Sequence, residues 1–163
     1  MTWAVIAVAD RPAAQGHAMA ERLLIVDDEI AITRIVGSIA AELGVDFKAL
    51  NTSLTAAEVF VEYQPDVVIL DIVMPGKDGI DVLNDIMNSG IPTQIVLTSG
   101  LSEGYLRLGE AIARFHGRNP VRLLRKPFRH HELVEILTDS PCHRSPPGID
   151  TANPLTDLAQ DPP

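Results

Sequence analysis

Acidic side chains that follow two short apolar runs are the groups in this sequence best suited to chemistry. Asp27 and Asp28 come directly after the run at residues 23–26, and Asp71 comes directly after the run at residues 67–70. Apolar runs of this length, bounded by polar and turn residues, are typical of strands buried on both faces of a parallel sheet. Adjacent strand ends would bring the three carboxylates together at the edge where open α/β sheets bind ligands.

Such a cluster costs free energy, because like charges repel one another unless a cation offsets them. Mg²⁺ is a suitable cation, since it is bound through a few carboxylates together with waters and phosphate oxygens. A plainer interpretation is that the acids 27–29 cap the helix that follows, where free N–H groups favour negative charge. Glu29 fits that interpretation well, but two further acids are more than a cap requires. Asp71 alone is equally compatible with a turn before Pro75.

Two further apolar runs also end in polar side chains. Residues 95–97 are followed by Thr98 and Ser99, and the run that begins at residue 121 is followed by Lys126-Pro127. The ordered set Asp27-Asp28, Asp71, Thr98 and Lys126-Pro127 resembles the receiver domain of two-component response regulators over about residues 20–139. Each motif is common by itself, whereas the ordered set, with Pro75 four residues after Asp71, is specific.

The resemblance implies a role for each of these strand-end residues. Asp71 would be the phosphoacceptor, because a carboxylate can attack phosphorus and form an aspartyl phosphate. Asp28, Asp71 and the backbone carbonyl of Val73 would bind Mg²⁺ directly, and Asp27 would act partly through water. Lys126 would pair with one phosphoryl oxygen, and the Thr98 hydroxyl would bond another. The family also implies a cis Lys126-Pro127 peptide bond.

The alternation of buried-strand runs with helical spacing predicts an α/β fold of five βα units. Helices are expected near residues 32–43, 54–63, 80–88, 101–115 and 129–137, with an edge strand at residues 45–50. These units predict a doubly wound, flavodoxin-like parallel sheet of five strands with five helices. The strand order 2-1-3-4-5 is taken from the resemblance.

Composition divides the chain into three parts and narrows its partners. We expect residues 1–18 to be a disordered extension, residues 19–140 the receiver domain, and residues 141–163 a disordered, proline-rich tail. A formal net charge of −9 argues against DNA or an anionic membrane as a direct partner. Cys142 is the only cysteine, so no internal disulfide forms, which suits a reducing cytoplasm.

The function expected from the resemblance is bacterial phosphorelay signalling, without turnover of an external substrate. A sensor histidine kinase or a phosphotransfer protein would supply the phosphoryl group, and an unidentified downstream protein would receive the output. Within the family, residues 99–128 look like receivers that precede cyclic-di-GMP phosphodiesterases, which suggests a link to that turnover through a partner. The catalytic residues of those phosphodiesterases are absent from this sequence.

Two other classes of protein stay open at this point. A Mg²⁺-dependent phosphatase of the haloacid-dehalogenase type also uses an Asp nucleophile, but it needs a second Asp two residues later, where this chain has Val73. A nucleotide- or flavin-binding domain needs a glycine loop after its first strand, where this chain has Val-Asp-Asp-Glu.

The sequence departs from the family at the residue three before the lysine. Many receivers have Tyr or Phe there, and this chain has Leu123. A leucine cannot swing an aromatic ring between solvent and core. We therefore expect activation to act on residues 99–103 and on the start of the long helix that follows.

Overall fold

The computed structural model describes residues 19–75, 79–100 and 119–140, and strands and helices alternate as predicted from residue 22 to residue 99. The strands are β1 (Arg22–Val26), β2 (Asp46–Leu50), β3 (Val67–Asp71), β4 (Gln94–Ser99) and β5 (Val121–Arg125). The helices are α1 (Ile30–Glu42), α2 (Ala56–Tyr63), α3 (Gly79–Asn88) and α4 (His130–Thr138). The helix predicted at residues 101–115, the N-terminal extension and the proline-rich tail lie outside the described residues.

All five strands are parallel and form one sheet in the order β2-β1-β3-β4-β5, which confirms the predicted fold. The central strands β1, β3 and β4 are buried almost throughout, as their continuous apolar runs require. β2 lies at an edge, as predicted, and its side chains are exposed or half-buried. The register places Asp71 opposite Thr98, so the polar strand ends share one edge of the sheet.

The helices cover both faces of the sheet and create two separate apolar cores. α2 and α3 pack on one face around Phe60, Leu70 and Leu83, and α1 and α4 pack on the other around Ile25, Val36 and Leu133. Both cores are mainly aliphatic, in keeping with an aromatic content of 4%. Among the described helices, none combines the length and apolar composition that a bilayer span requires.

The helix ends follow local chemistry. α1 ends at Glu42, and Gly44 has φ +72°, a left-handed conformation that glycine adopts without strain. α2 begins at Ala56, two residues later than predicted. The Leu54 N–H donates to the Thr52 hydroxyl at 3.3 Å, and this local turn replaces the expected first helical residues.

Gly79 brings the first turn of α3 against the backbone at the end of β3. Its N–H donates to the Ile72 carbonyl at 3.2 Å. A Cβ atom added at Gly79 would lie 2.6 Å from Ile72 Cα and would also collide with the Asp71 carbonyl oxygen. The absence of a side chain therefore sets how closely α3 approaches the residue that follows Asp71.

We expect Gly79→Ala to destabilise the protein, although alanine is the better helix former by about 1 kcal/mol. The added methyl group meets backbone that cannot move aside, and overpacking of this kind costs roughly 1–3 kcal/mol. Urea unfolding followed by circular dichroism measures the change. Asn88→Ala, at the exposed end of the same helix, is the control and should be neutral or stabilising. An increase in stability for Gly79→Ala would contradict the close approach.

Candidate functional site

The carboxyl ends of β1, β3, β4 and β5 bring the predicted site residues to one place. Asp27 follows β1, Asp71 ends β3, Thr98 lies in β4 and Lys126 follows β5. Asp27 and Thr98 are fully buried, and Asp71 is 4% exposed. Since all strands are parallel, the side chains that follow their carboxyl ends converge on one pocket.

Lys126 is the centre of this pocket. Its Nζ lies 2.6 Å from an Asp71 carboxylate oxygen, 2.7 Å from Asp27 Oδ2 and 3.0 Å from Glu29 Oε1. The side chain is only 8% exposed. Burial alone would lower the pKa of this ammonium, but the bonds to Asp27, Asp71 and Glu29 outweigh burial and raise its pKa. Lys126 is therefore firmly charged at neutral pH.

Asp27 is held on both carboxylate oxygens. Oδ1 accepts a hydrogen bond from the Glu29 N–H at 2.9 Å, and Oδ2 forms the ion pair with Lys126. Burial raises the pKa of Asp27, because removal from water disfavours the charged form, and Lys126 opposes that increase. The position of this carboxylate thus depends on the lysine that faces it.

Glu29 occupies a different role from the helix cap that the sequence favoured. It stands at the N-cap position of α1, but its side chain makes no capping hydrogen bond. The carboxylate turns towards the pocket and bonds Lys126. The nearby Lys126 ammonium explains this orientation, because a hydrogen bond between two charged groups is stronger than one to a neutral backbone N–H group.

The three predicted metal ligands Asp27, Asp28 and Asp71 do come together. Each offers a carboxylate oxygen, and these oxygens all lie within 4.8 Å of one another. Asp28 is partly exposed, so the cluster opens towards solvent on its side. The Val73 N–H donates to Asp71 Oδ1 at 2.9 Å, which places the backbone of Val73 beside the cluster. Among the described residues, three carboxylates, those of Asp27, Glu29 and Asp71, contact the Lys126 ammonium. The Asp27, Asp28 and Asp71 oxygens form the all-oxygen donor set that Mg²⁺ prefers.

Thr98 presents a hydroxyl that has no hydrogen-bond partner in the described part of the chain. Its Oγ1 is completely buried. Buried hydroxyl groups are usually bonded, so the Thr98 hydroxyl, opposite Asp71 in the sheet, is available to an incoming oxygen atom. The hydroxyl and the carboxylate cluster together fit a phosphoryl oxygen and a hard cation.

Other expectations from the resemblance have mixed outcomes. The Lys126-Pro127 peptide bond is cis, as predicted. Leu123 is 40% exposed on β5, so an aliphatic side chain does stand at the surface position where many receivers have an aromatic ring. The segment expected to carry the activation change lies mostly in residues 101–118, outside the described part of the chain.

Asn51 was missed in the sequence, and it contacts the site from the position directly after β2. Its Nδ2 lies 2.9 Å from the Asp27 carbonyl oxygen and 3.2 Å from Thr33 Oγ1. The same rule that identified the other residues applies to it, because Asn51 directly follows the carboxyl end of a strand that neighbours β1. The mostly polar sequence of β2 made that strand end hard to recognise.

Comparison with known proteins agrees with this geometry. Residues 23–138 match the family model described as the response regulator receiver domain. Among curated proteins, the chain is 35% identical over 82 residues to the regulatory protein AtoC of Escherichia coli strain K12, covering 50% of this chain but 18% of AtoC. The chain therefore spans less than a fifth of that relative.

Solved structures show the same fold over most of the chain. The receiver domain of the Francisella response regulator 1452 matches with a TM-score of 0.61 and 25% identity, covering 72% of this chain and 93% of that one. A response regulator from Colwellia psychrerythraea matches with a TM-score of 0.60 and 27% identity, covering 72% and 94%. Because the family model covers well over half of the sequence and the strand order agrees, this chain belongs to the response regulator receiver domain family.

Proposed function

We propose that this chain is a phosphorylation-dependent signalling receiver that accepts a phosphoryl group on Asp71. The observation that carries the proposal is the Asp71 carboxylate itself, buried at a strand end and bonded to Lys126 at 2.6 Å. Asp71 lies opposite Thr98 in the sheet, and the Thr98 hydroxyl has no partner among the described residues. A buried aspartate without partners would not stabilise the fold. Asp71 instead has the Lys126 ammonium and the Thr98 hydroxyl as donors in position for a phosphoryl group.

The phosphoryl donor in this proposal is a sensor histidine kinase or a phosphotransfer protein. An Asp71 oxygen forms a bond to phosphorus, the phosphorus–nitrogen bond of the donor histidine breaks, and the electron pair returns to the imidazole. Val73 N–H fixes Asp71 Oδ1 and thereby the orientation of the carboxylate. Lys126 is placed to bond one phosphoryl oxygen and Thr98 to bond another, so charge is met by donors that are already in position.

Asp27, Asp28, Asp71 and the Val73 carbonyl would hold Mg²⁺ in this proposal. The cation would neutralise the carboxylates and the incoming phosphoryl oxygens, which one lysine cannot do alone. Support comes from the carboxylate oxygens within 4.8 Å of one another and, among the described residues, from the excess of carboxylates over the Lys126 ammonium that they surround.

Output in this proposal is the binding of a downstream protein or onward phosphoryl transfer, not turnover of an external substrate. The chain's net charge of −9 favours a protein partner over nucleic acid or an anionic membrane. A donor kinase of this type acts in the cytoplasm, and the proposal places the chain there. A link to cyclic-di-GMP turnover would run through such a partner.

Phosphoryl labelling should require both Asp71 and Mg²⁺. We expect acetyl phosphate with Mg²⁺ to give one acid-labile adduct on Asp71, detected by intact-mass spectrometry. Asp71→Asn removes the nucleophile and should abolish the adduct, and excess chelator should suppress it in the wild-type chain. Labelling of Asp71→Asn at the wild-type rate would overturn the proposal. Repeated hydrolysis of acetyl phosphate without an adduct would instead indicate a phosphatase.

Separate replacement of Asp27 and of Asp28 by alanine should change the melting temperature in chelator in opposite directions. Asp28→Ala should raise the melting temperature, because it relieves repulsion in the cluster, and added Mg²⁺ should diminish that advantage. Asp27→Ala should lower the melting temperature, since the Glu29 N–H and Lys126 each lose a buried partner, at a cost of about 1 kcal/mol or more. Differential scanning calorimetry measures both variants. Equal shifts of the same sign would contradict the different roles assigned to these acids.

The aspartyl phosphate should be long-lived, because Val73 has no side-chain group that could orient an attacking water. We expect Val73→Asn to shorten the lifetime of the phosphorylated chain, since an amide two residues after Asp71 would position water in line with phosphorus. Decay of the adduct after rapid removal of acetyl phosphate gives the rate, with Val61→Asn on the exposed face of α2 as control. An unchanged lifetime in Val73→Asn would show that residue 73 does not line the approach of water.

A further inference from the structure

Asn51 joins the edge strand to the backbone that carries the acidic cluster. Its Nδ2 lies 2.9 Å from the Asp27 carbonyl oxygen and 3.2 Å from the Thr33 hydroxyl. Thr33 is buried in α1, whereas the Asn51 side chain itself is exposed at the end of β2. An exposed asparagine that makes two bonds into the pocket wall is more than a solvated loop residue.

The direction of these bonds is fixed by chemistry. A backbone carbonyl oxygen can only accept, so the amide NH₂ of Asn51 must face Asp27. Its second hydrogen is then directed to Thr33 Oγ1, and the Thr33 hydroxyl passes its own hydrogen to the Ile30 carbonyl at 3.0 Å. The result is a short chain of hydrogen bonds in which every donor has an acceptor.

This chain of bonds holds both ends of the segment from Asp27 to Ile30. The Asp27 N–H donates to the Leu50 carbonyl at 3.0 Å, and the Asp27 carbonyl accepts from Asn51. The main chain of Asp27 is therefore fixed on both sides by β2 and the residue after it. Asp28 is joined to the Asp27 carbonyl that Asn51 holds. Asp28 itself has no hydrogen bond or ion pair among the described residues.

Repulsion within the cluster would act on this segment first. The carboxylates of Asp27 and Asp28 lie within 4.8 Å of a third. Without the Asn51 hydrogen bonds, residues 27–29 between β1 and α1 would be the part of the backbone able to move them apart. A relaxed cluster would have to be reassembled each time a cation binds, and that cost would appear as weaker affinity.

We propose that Asn51 is a positioning residue that keeps the Asp27-Asp28 backbone in the geometry needed for a divalent cation. The inference rests on the proposed function only in naming Mg²⁺ as the cation. Partners in the outer shell of a metal site set its affinity by holding the ligands, and their removal weakens binding about 10- to 100-fold. Asn51 acts on the backbone of one ligand and does not itself contact the cation.

The test is Mg²⁺ binding to the unphosphorylated full chain by isothermal titration calorimetry. Asn51→Leu keeps the approximate shape of the side chain and removes both donors, and we expect its Mg²⁺ affinity to fall about tenfold. Asn88→Leu makes the same exchange at the exposed end of α3 and should bind Mg²⁺ as the wild type does.

Asn51→Asp separates geometry from charge. A carboxylate of the same shape has no hydrogen to donate to the Asp27 carbonyl, yet it adds negative charge near a cation site. If only charge mattered, Asn51→Asp would bind Mg²⁺ more tightly than the wild type. If the hydrogen bonds position the cluster, it binds more weakly, and that is the result we expect.

Thermal unfolding supplies a second measurement, the increase in melting temperature that Mg²⁺ causes. Substitution of a residue that only stabilises the loop would leave that increase unchanged. Bound Mg²⁺ raises the melting temperature by an amount set by its affinity. At one fixed Mg²⁺ concentration, the increase over chelator should be smaller for Asn51→Leu than for the wild type. A residue that merely stabilised the loop would lower both melting temperatures equally, and that outcome would overturn the inference.

The outcomes distinguish this inference from the proposed function. Tight Mg²⁺ binding by the wild type and by both Asn51 variants would overturn the positioning role and leave the receiver function intact. No Mg²⁺ binding by the wild type would overturn both. Weaker binding in both Asn51 variants, with Asn88→Leu unchanged, supports the inference independently of any phosphorylation assay.

Discussion

One ammonium set among buried carboxylates is the interaction on which the rest of the pocket depends. Lys126 follows β5, reaches past the end of β4 and contacts Asp71, which ends β3, and Asp27, which follows β1. Removal of these charges from water is unfavourable, and the attraction between Lys126 and the carboxylates offsets that cost only while they stay in contact. The parallel sheet imposes that geometry, because strand ends cannot separate without loss of the buried ladders between them. In the described residues, the fold therefore holds more carboxylates than ammonium groups at one edge of the sheet, where a cation could be bound.

The sequence was sufficient for the positions of the strands and for most of the residues that converge on the pocket. Continuous apolar runs identified the buried strands, and the polar residue after each run identified Asp27, Asp71, Thr98 and Lys126. Both inferences use short stretches of chain and one general rule about parallel sheets. The strand order itself came from resemblance to a family, because many orders satisfy the same local pattern.

The features that escaped prediction depend on contacts between distant parts of the chain. Glu29 bonds a lysine 97 residues away, and no local pattern distinguishes that role from a helix cap. The close approach of Gly79 to Ile72 is a matter of packing between a helix and the end of a strand, whereas the sequence shows only a glycine in a turn. Asn51 is hidden for a related reason, since the exposed edge strand before it lacks the apolar run that marks a buried one.

The reach of Lys126 has a consequence for how the domain would carry information. Lys126 follows the outer strand β5, yet its ammonium contacts Asp71 on the central strand β3. β4 lies between them and contributes a hydroxyl but no ionised group. Because Lys126 Nζ bonds Asp71 directly, a change in the charge of Asp71 changes the electrostatic attraction that holds this lysine after β5. Leu123 is exposed on β5, three residues before Lys126, so the strand that leads to this lysine also has an exposed surface.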